Sequence, residues 1–253
     1  MKNSVKLLAL LLACLMTLIT LTACGSTNDE GKASTSEATN GEGPSGEKEE
    51  SSTPTASEDN KEVETKPASV GLSFSSKGDG TCYVSVGTCT DTEIVIPSTS
   101  PEGDVVKDIN YAAFSGCSNM TSVYIPDSVT SLSSSAFASC TSLTSVTLPN
   151  SVKTMYSYAF KNCTALTTFT FSSIMKTVQN NVFEGCTALK TVNLPESIGT
   201  IKSNAFNGCA SLTDINFGGT KAQWEAITKE NLWDLGTGDY TVHCSDGDIA
   251  KAK

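Results

Sequence analysis

Residues 136–149 read Ala136-Phe137-Ala138-Ser139-Cys140-Thr141-Ser142-Leu143-Thr144-Ser145-Val146-Thr147-Leu148-Pro149. Alone, the stretch suggests one short strand, because Val146-Thr147-Leu148 alternates with period two and Pro149 stops it. Its surroundings decide the fold. Steps of 23 residues return a phenylalanine at Phe114, Phe137, Phe160, Phe183 and Phe206, with a cysteine three residues after each, at Cys117, Cys140, Cys163, Cys186 and Cys209. The same phase carries Met120, Leu143, Leu166, Leu189 and Leu212, then Val123, Val146, Phe169, Val192 and Ile215. Past the proline a second apolar pair recurs, as Val129 with Leu132, Val152 with Met155, Met175 with Val178 and Ile198 with Ile201.

One such unit cannot cover its own apolar side, but units stacked on one another share a continuous core. The expected class is therefore mainly β, a solenoid of 23-residue repeats. With seven strands spaced as in a sheet, the stack would be about 30 Å long.

The unit A-F-x-x-C-x-x-L-T-x-V-x-L-P, in five successive copies, resembles the BspA-like (Treponema-type) leucine-rich repeats of bacterial surface proteins. The resemblance covers roughly residues 70–245 and is specific for fold. For function it implies only a surface adhesin or binding protein, with no particular ligand.

The ends depart from the pattern, as terminal rungs of a solenoid must. Cys89, Ile94, Ile96 and Pro97 follow the order of a repeat, and a loop containing Pro101-Glu102-Gly103 precedes the point where Ile109 and Phe114 regain the phase. Leu72, Phe74, Tyr83, Val84 and Val86, split by Gly78-Asp79-Gly80, predict a capping hairpin. At the other end, residues 221–228 suit one or two turns of helix and Tyr240 to Cys244 alternates as a last strand. Trp224 and Trp233 are expected to close the core, and Asp246-Gly247-Asp248 to be a solvated tail.

Ahead of the array, Lys2 and Lys6 precede the apolar run Leu7–Ala23, the layout of a signal peptide. The bland alternative is a transmembrane anchor, although the run is at the lower limit of what spans a bilayer. Leu21-Thr22-Ala23-Cys24 resembles the lipobox of bacterial lipoproteins, which implies cleavage before Cys24 and lipidation of its thiol. Residues 25–69 contain no Leu, Ile, Met or aromatic residue and carry eleven acids against four lysines, a composition that cannot offset its own ordering entropy. As a flexible coil this tether would span about 35–40 Å. The resulting division is 1–23 signal peptide, 24–69 lipidated acidic tether, 70–113 N-terminal cap and irregular rung, 114–217 repeats, and 218–253 C-terminal cap and tail. The protein is expected outside the cytoplasm, held to the cell membrane through the lipid on Cys24 and exposed at the surface.

The net charge is −10, and the 17 basic residues are all lysine. With no arginine, the side chain best suited to bidentate phosphate or base recognition is missing, which argues against a nucleic-acid partner. Ten cysteines in an exported chain invite a disulfide reading. Five occupy a single repeat position, however, and stacked parallel Cβ vectors do not give a disulfide torsion, so they are expected as reduced thiols in the core. Cys82 and Cys89 flank a possible strand and could pair, or be two more small core residues. Neither metal-ligand spacing nor a cofactor motif is visible.

His243 beside Cys244 is the one nucleophile-and-base pairing, but neighbours on a strand point to opposite faces, and no enzyme is expected. The remaining candidate site is the concave sheet face, where residues alternating with the core form two outward columns. The first is Ser122, Ser145, Thr168, Thr191 and Asp214. The second is Tyr124, Thr147, Thr170, Asn193 and Asn216. These columns could hold a protein or glycan ligand on a chain expected to be a monomer, or simply be a solvated face that serves β-propensity. A structural or accessory role in a surface assembly is the alternative reading.

Overall fold

The computed structural model describes residues 66–251. The signal peptide, Cys24 and nearly all of the acidic tether lie outside them. Two strands open the domain, β1 (Ser73–Ser76) and β2 (Thr81–Ser85), antiparallel as the expected hairpin. The chain then runs through β3 (Glu93–Val95), β4 (Val105–Ile109), β5 (Ser122–Tyr124), β6 (Ser131–Leu132), β7 (Ser145–Thr147) and β8 (Thr154–Met155). It continues through β9 (Thr168–Thr170), β10 (Thr177–Val178), β11 (Thr191–Leu194), β12 (Thr200–Ile201) and β13 (Asp214–Phe217). Helix α1 (Lys221–Ala226), β14 (Thr228–Lys229), β15 (Thr241–Cys244) and β16 (Gly247–Ala250) close it.

Odd-numbered strands from β3 to β15 form one side of the solenoid and even-numbered strands from β2 to β14 the other. The seven expected rungs are those odd strands. The even side is a second parallel sheet built on the apolar pairs after the proline, with Leu132, Met155, Val178 and Ile201 pointing inward from strands only two residues long. Both sides are interrupted. β5 pairs with β3 rather than with β7, and β8 does not pair with β10.

Between the sheets each rung makes a third line of bonds. The amides of Phe114, Phe137, Phe160 and Phe183 donate at 2.8–3.0 Å to the carbonyls of Ala136, Ala159, Val182 and Ala205 of the next rung. The rings stack at centroid spacings of 5.2 Å for Phe114–Phe137 and Phe137–Phe160, with interplanar angles of 6° and 7°. This segment passes twice per rung through the left-handed region, at Ala112, Ser135, Tyr158, Asn181 and Asn204 and again at Gly116, Ser139, Asn162, Gly185 and Gly208.

Cys140, Cys163, Cys186 and Cys209 are fully buried, and they do more than fill space. Each Sγ donates to the carbonyl of the phenylalanine 26 residues earlier, at 3.0–3.2 Å. Cys117 has no phenylalanine rung behind it and is only half-buried; burial pushes its thiol up to about 11. Cys82 and Cys89 carry free thiols, so the pairing left open above does not occur.

At the N-terminal end, Ser69, the last residue of the expected tether, is bonded into the domain. Ser69 donates its amide to the Val95 carbonyl at 3.0 Å and accepts the Val95 amide on Oγ at 3.0 Å. At the C-terminal end the phenylalanine stack stops against Trp233, which meets Phe206 edge-on at 6.0 Å and touches Trp224 and Tyr240. Helix α1 starts in a capping box, in which Gln223 N–H donates to Thr220 Oγ1 and Thr220 N–H donates to Gln223 Oε1. The tail reading of Asp246-Gly247-Asp248 is corrected. These residues turn the chain into β16, antiparallel to β15, because Ile249 pairs with Val242 and packs against the core.

Candidate functional site

The two outward columns are set by ladder register. Ser145, Thr168, Thr191 and Asp214 align across β7, β9, β11 and β13, and so do Thr147, Thr170, Asn193 and Asn216. β15 adds one member to each, Thr241 beside Asp214 and His243 beside Asn216. Ser122 and Tyr124 are the exception. They sit on β5 in register with Glu93 and Val95, so the expected continuous column is split between two ladders. One backbone bond, from the Thr144 amide to the Thr121 carbonyl at 3.2 Å, bridges the break.

Where the strands begin, threonines tie rung to rung. Thr121 Oγ1 donates to Thr92 O, Thr144 Oγ1 to Thr121 O and Thr167 Oγ1 to Thr144 O, at 3.1–3.3 Å. Further along, Asn216 Nδ2 donates to Asn193 Oδ1 at 2.8 Å and Asn193 Nδ2 to Thr170 Oγ1 at 2.9 Å. The amides are thus held in one orientation before any ligand arrives, and part of their bonding capacity is spent inside the ladder.

The column ends in a cluster that the sequence did not reveal. His243 Nε2 lies 2.9 Å from Asp214 Oδ1, and Nδ1 lies 3.0 Å from Asp248 Oδ1. The imidazole pKa is raised, first by its bond to Asp214 and then by that to Asp248. Asp214 is held below the usual carboxylate range by the Thr213 hydroxyl, which donates at 2.7 Å, and next by His243. One contribution comes from outside the repeat pattern and one from its first column. Asp248 belongs to the strand read as tail, and Asp214 faces His243 diagonally across two strands. Cys244 turns the other way and packs against the core, its thiol raised by burial. The adjacent thiol and imidazole are therefore not a pair.

Among the described residues, no group of three or more His, Cys, Asp or Glu could hold a metal ion, and no helix is long and apolar enough to cross a membrane. Cys24 lies outside them.

A family model for BspA type leucine rich repeat regions matches in six copies over residues 107–228. The leucine rich repeat protein of T. pallidum is 28% identical, with a TM-score of 0.55, over 60% of this chain and 70% of that one. A leucine rich cell surface protein from Faecalibacterium prausnitzii is 25% identical with a TM-score of 0.44, over 65% of this chain and 42% of that one. A leucine-rich repeat protein from Eubacterium ventriosum is 24% identical with a TM-score of 0.49, over 63% and 48%. The chain thus spans less than half the length of the last two. No curated protein matches. Five in-phase copies of the sequence unit, the two-sided parallel solenoid and the family match agree that the repeat array of this chain belongs to the BspA-type leucine-rich repeats.

Proposed function

We propose that this is a surface lipoprotein, anchored through Cys24, whose solenoid is a binding or adhesion module for a protein or glycan outside the cell. The anchor rests on the N-terminal sequence, with its charged start, its apolar run and Leu21-Thr22-Ala23-Cys24. The acidic tether supplies the distance from the membrane.

The observation that carries the binding role is the pre-oriented polar ladder Thr170–Asn193–Asn216, ending in the His243 cluster. Rigid amides already aligned cost less ordering on contact than free ones. The same internal bonding favours the second reading, an accessory of a surface assembly, because the face satisfies part of its own polar demand.

The test is binding of the protein to a panel of extracellular-matrix proteins and glycans, repeated with Tyr124→Ala and Asn193→Ala. The expected result is saturable binding weakened about tenfold or more in at least one variant. No binding across the panel, with recovery of a membrane protein after cross-linking, would move the weight to the accessory role. Anchoring is tested separately, by loss of membrane association and of acyl-group mass in Cys24→Ser.

A further inference from the structure

A second face of the solenoid breaks the local rules more sharply than the ladder does. Where the chain leaves the even-numbered strands, residues 110–112, 133–135, 156–158, 179–181 and 202–204 form three columns across five rungs. Fourteen of these fifteen side chains are uncharged, and the one charge, Lys202, is paired with Glu230 at 2.6 Å. Tyr111, Tyr156 and Tyr158 are 70%, 50% and 40% exposed, among the most exposed large side chains of the array. The rung between Tyr111 and the other two is Ser133-Ser134-Ser135, so tyrosines border a floor of small hydroxyls. None of these six side chains has a hydrogen-bond partner among the described residues.

Tyr158 has a left-handed backbone, φ 64°, at a position where the next two rungs use Asn181 and Asn204. Asparagine tolerates that conformation, whereas a bulky aromatic is strained there. Core packing does not explain the tyrosine, because its side chain is 40% exposed and is not part of the core cluster. Its ring is approached by Lys161 Nζ at 5.3 Å, and that lysine is itself neutralised by Glu184 at 3.0 Å.

We propose that this tyrosine-bordered serine floor is a binding site for a neutral polysaccharide segment. The proposal rests on the binding-module reading but places the ligand on a different face. Tyrosine with serine and asparagine is the composition of recognition surfaces that combine rigid aromatic area with adaptable hydrogen bonds. The negative ring faces suit the C–H faces of sugar rings, and the hydroxyls of Ser133, Ser134 and Ser135 suit their hydroxyl groups. Among these fifteen side chains, unpaired charge for an anionic polymer is missing. So are the tryptophan and arginine that anchor protein interfaces. Tyr111 and Tyr156 are two rungs apart, about 9–10 Å along the stack, a spacing that a chain of linked sugar rings can follow.

The test uses the full protein with cellohexaose, maltohexaose, chitohexaose and mannan, with polygalacturonate and fibronectin as anionic and protein probes. At least one neutral saccharide is expected to bind saturably, weakened about tenfold or more by Tyr111→Ala and by Tyr156→Ala and unchanged by Thr141→Ala, an exposed turn position on neither face. Tyr158→Asn is expected to raise the melting temperature while weakening that binding, a combination that a purely structural tyrosine would not give. The proposal is overturned if no neutral saccharide binds, or if the tyrosine variants weaken only fibronectin or polygalacturonate capture. It is also overturned if binding is lost in Asn193→Ala and kept in the tyrosine variants, an outcome that leaves the binding-module reading standing.

Discussion

The Sγ of Cys163 donates to the carbonyl oxygen of Phe137, one rung back, at 3.1 Å, and the Cys140 amide donates to the same oxygen at 3.3 Å. One carbonyl thus receives both a turn-closing and a rung-joining bond. A cysteine fits where an alanine would leave the second lone pair unused. Cys163→Ala is expected to cost about 1–2 kcal/mol, from lost volume and the lost donor, and Cys163→Ser less, since a hydroxyl can donate to the same oxygen. Urea melts check this. A serine variant less stable than the alanine variant would show that the sulfur bond does not hold the position.

The buried ladder thiols should be chemically silent. The bond to Cys163 and then burial raise the thiol of Cys140; at Cys163 the bond to Cys140 lowers it, but Cys186 and burial outweigh that and raise it; burial raises Cys209, so thiolate is scarce. Iodoacetamide at pH 8 followed by peptide mass spectrometry is expected to leave these positions unlabelled in the native protein and labelled in denaturant. Native labelling at Cys163 as fast as in denaturant would contradict a closed core.

Phe160 touches Phe137, Phe183 and Phe169 at ring-centroid distances of 5.2, 6.0 and 4.9 Å. Phe160→Ala should therefore cost about 3–5 kcal/mol, while Thr147→Ala, on the exposed face, should stay within about 0.5 kcal/mol. Equal melting shifts for the two would sink the stacked-core account.

His243 joins β13, β15 and β16 through Asp214 and Asp248. Neutral imidazole can donate from only one nitrogen, so both bonds are satisfied only when it is protonated. Its raised pKa means that the stabilisation is fully present below about pH 6.5, the unfolded value, and is lost as pH rises through the folded one. The lowered Asp214 pKa adds stability above about pH 4 that is lost in acid. The hairpin should therefore be held most firmly between those limits. Amide exchange in β16 is expected to speed up beyond its intrinsic pH dependence between pH 6 and pH 8.5, and His243→Gln should remove that extra acceleration. The same pH response in wild type and variant would refute the clamp.

Much of this was legible because a 23-residue period repeats each structural demand five times. The phenylalanine stack, the inward leucines and the inward apolar pairs after the proline follow from hydrophobic phase alone. The free thiols follow from the same phase, since equivalent residues on stacked rungs point the same way. What escaped lies where a single copy departs from its siblings. Ile249, in a segment too polar to announce a strand, is recruited because Val242 on β15 offers it a partner. Ser122 and Tyr124 keep the repeat pattern and still pair with Glu93 and Val95, a choice between neighbouring ladders that identical spacing cannot make.

The order of residues determined the period, the inward set and the expectation of a capped solenoid, because burying an amphipathic unit of fixed length admits few arrangements other than stacking. Tertiary structure alone decided which carbonyl each cysteine would reach, that Asp214 and Asp248 would meet His243 from separate strands, and that Tyr111, Tyr156 and Tyr158 would border one serine floor. Those relationships depend on distances across rungs and on left-handed turns, and linear spacing carries neither.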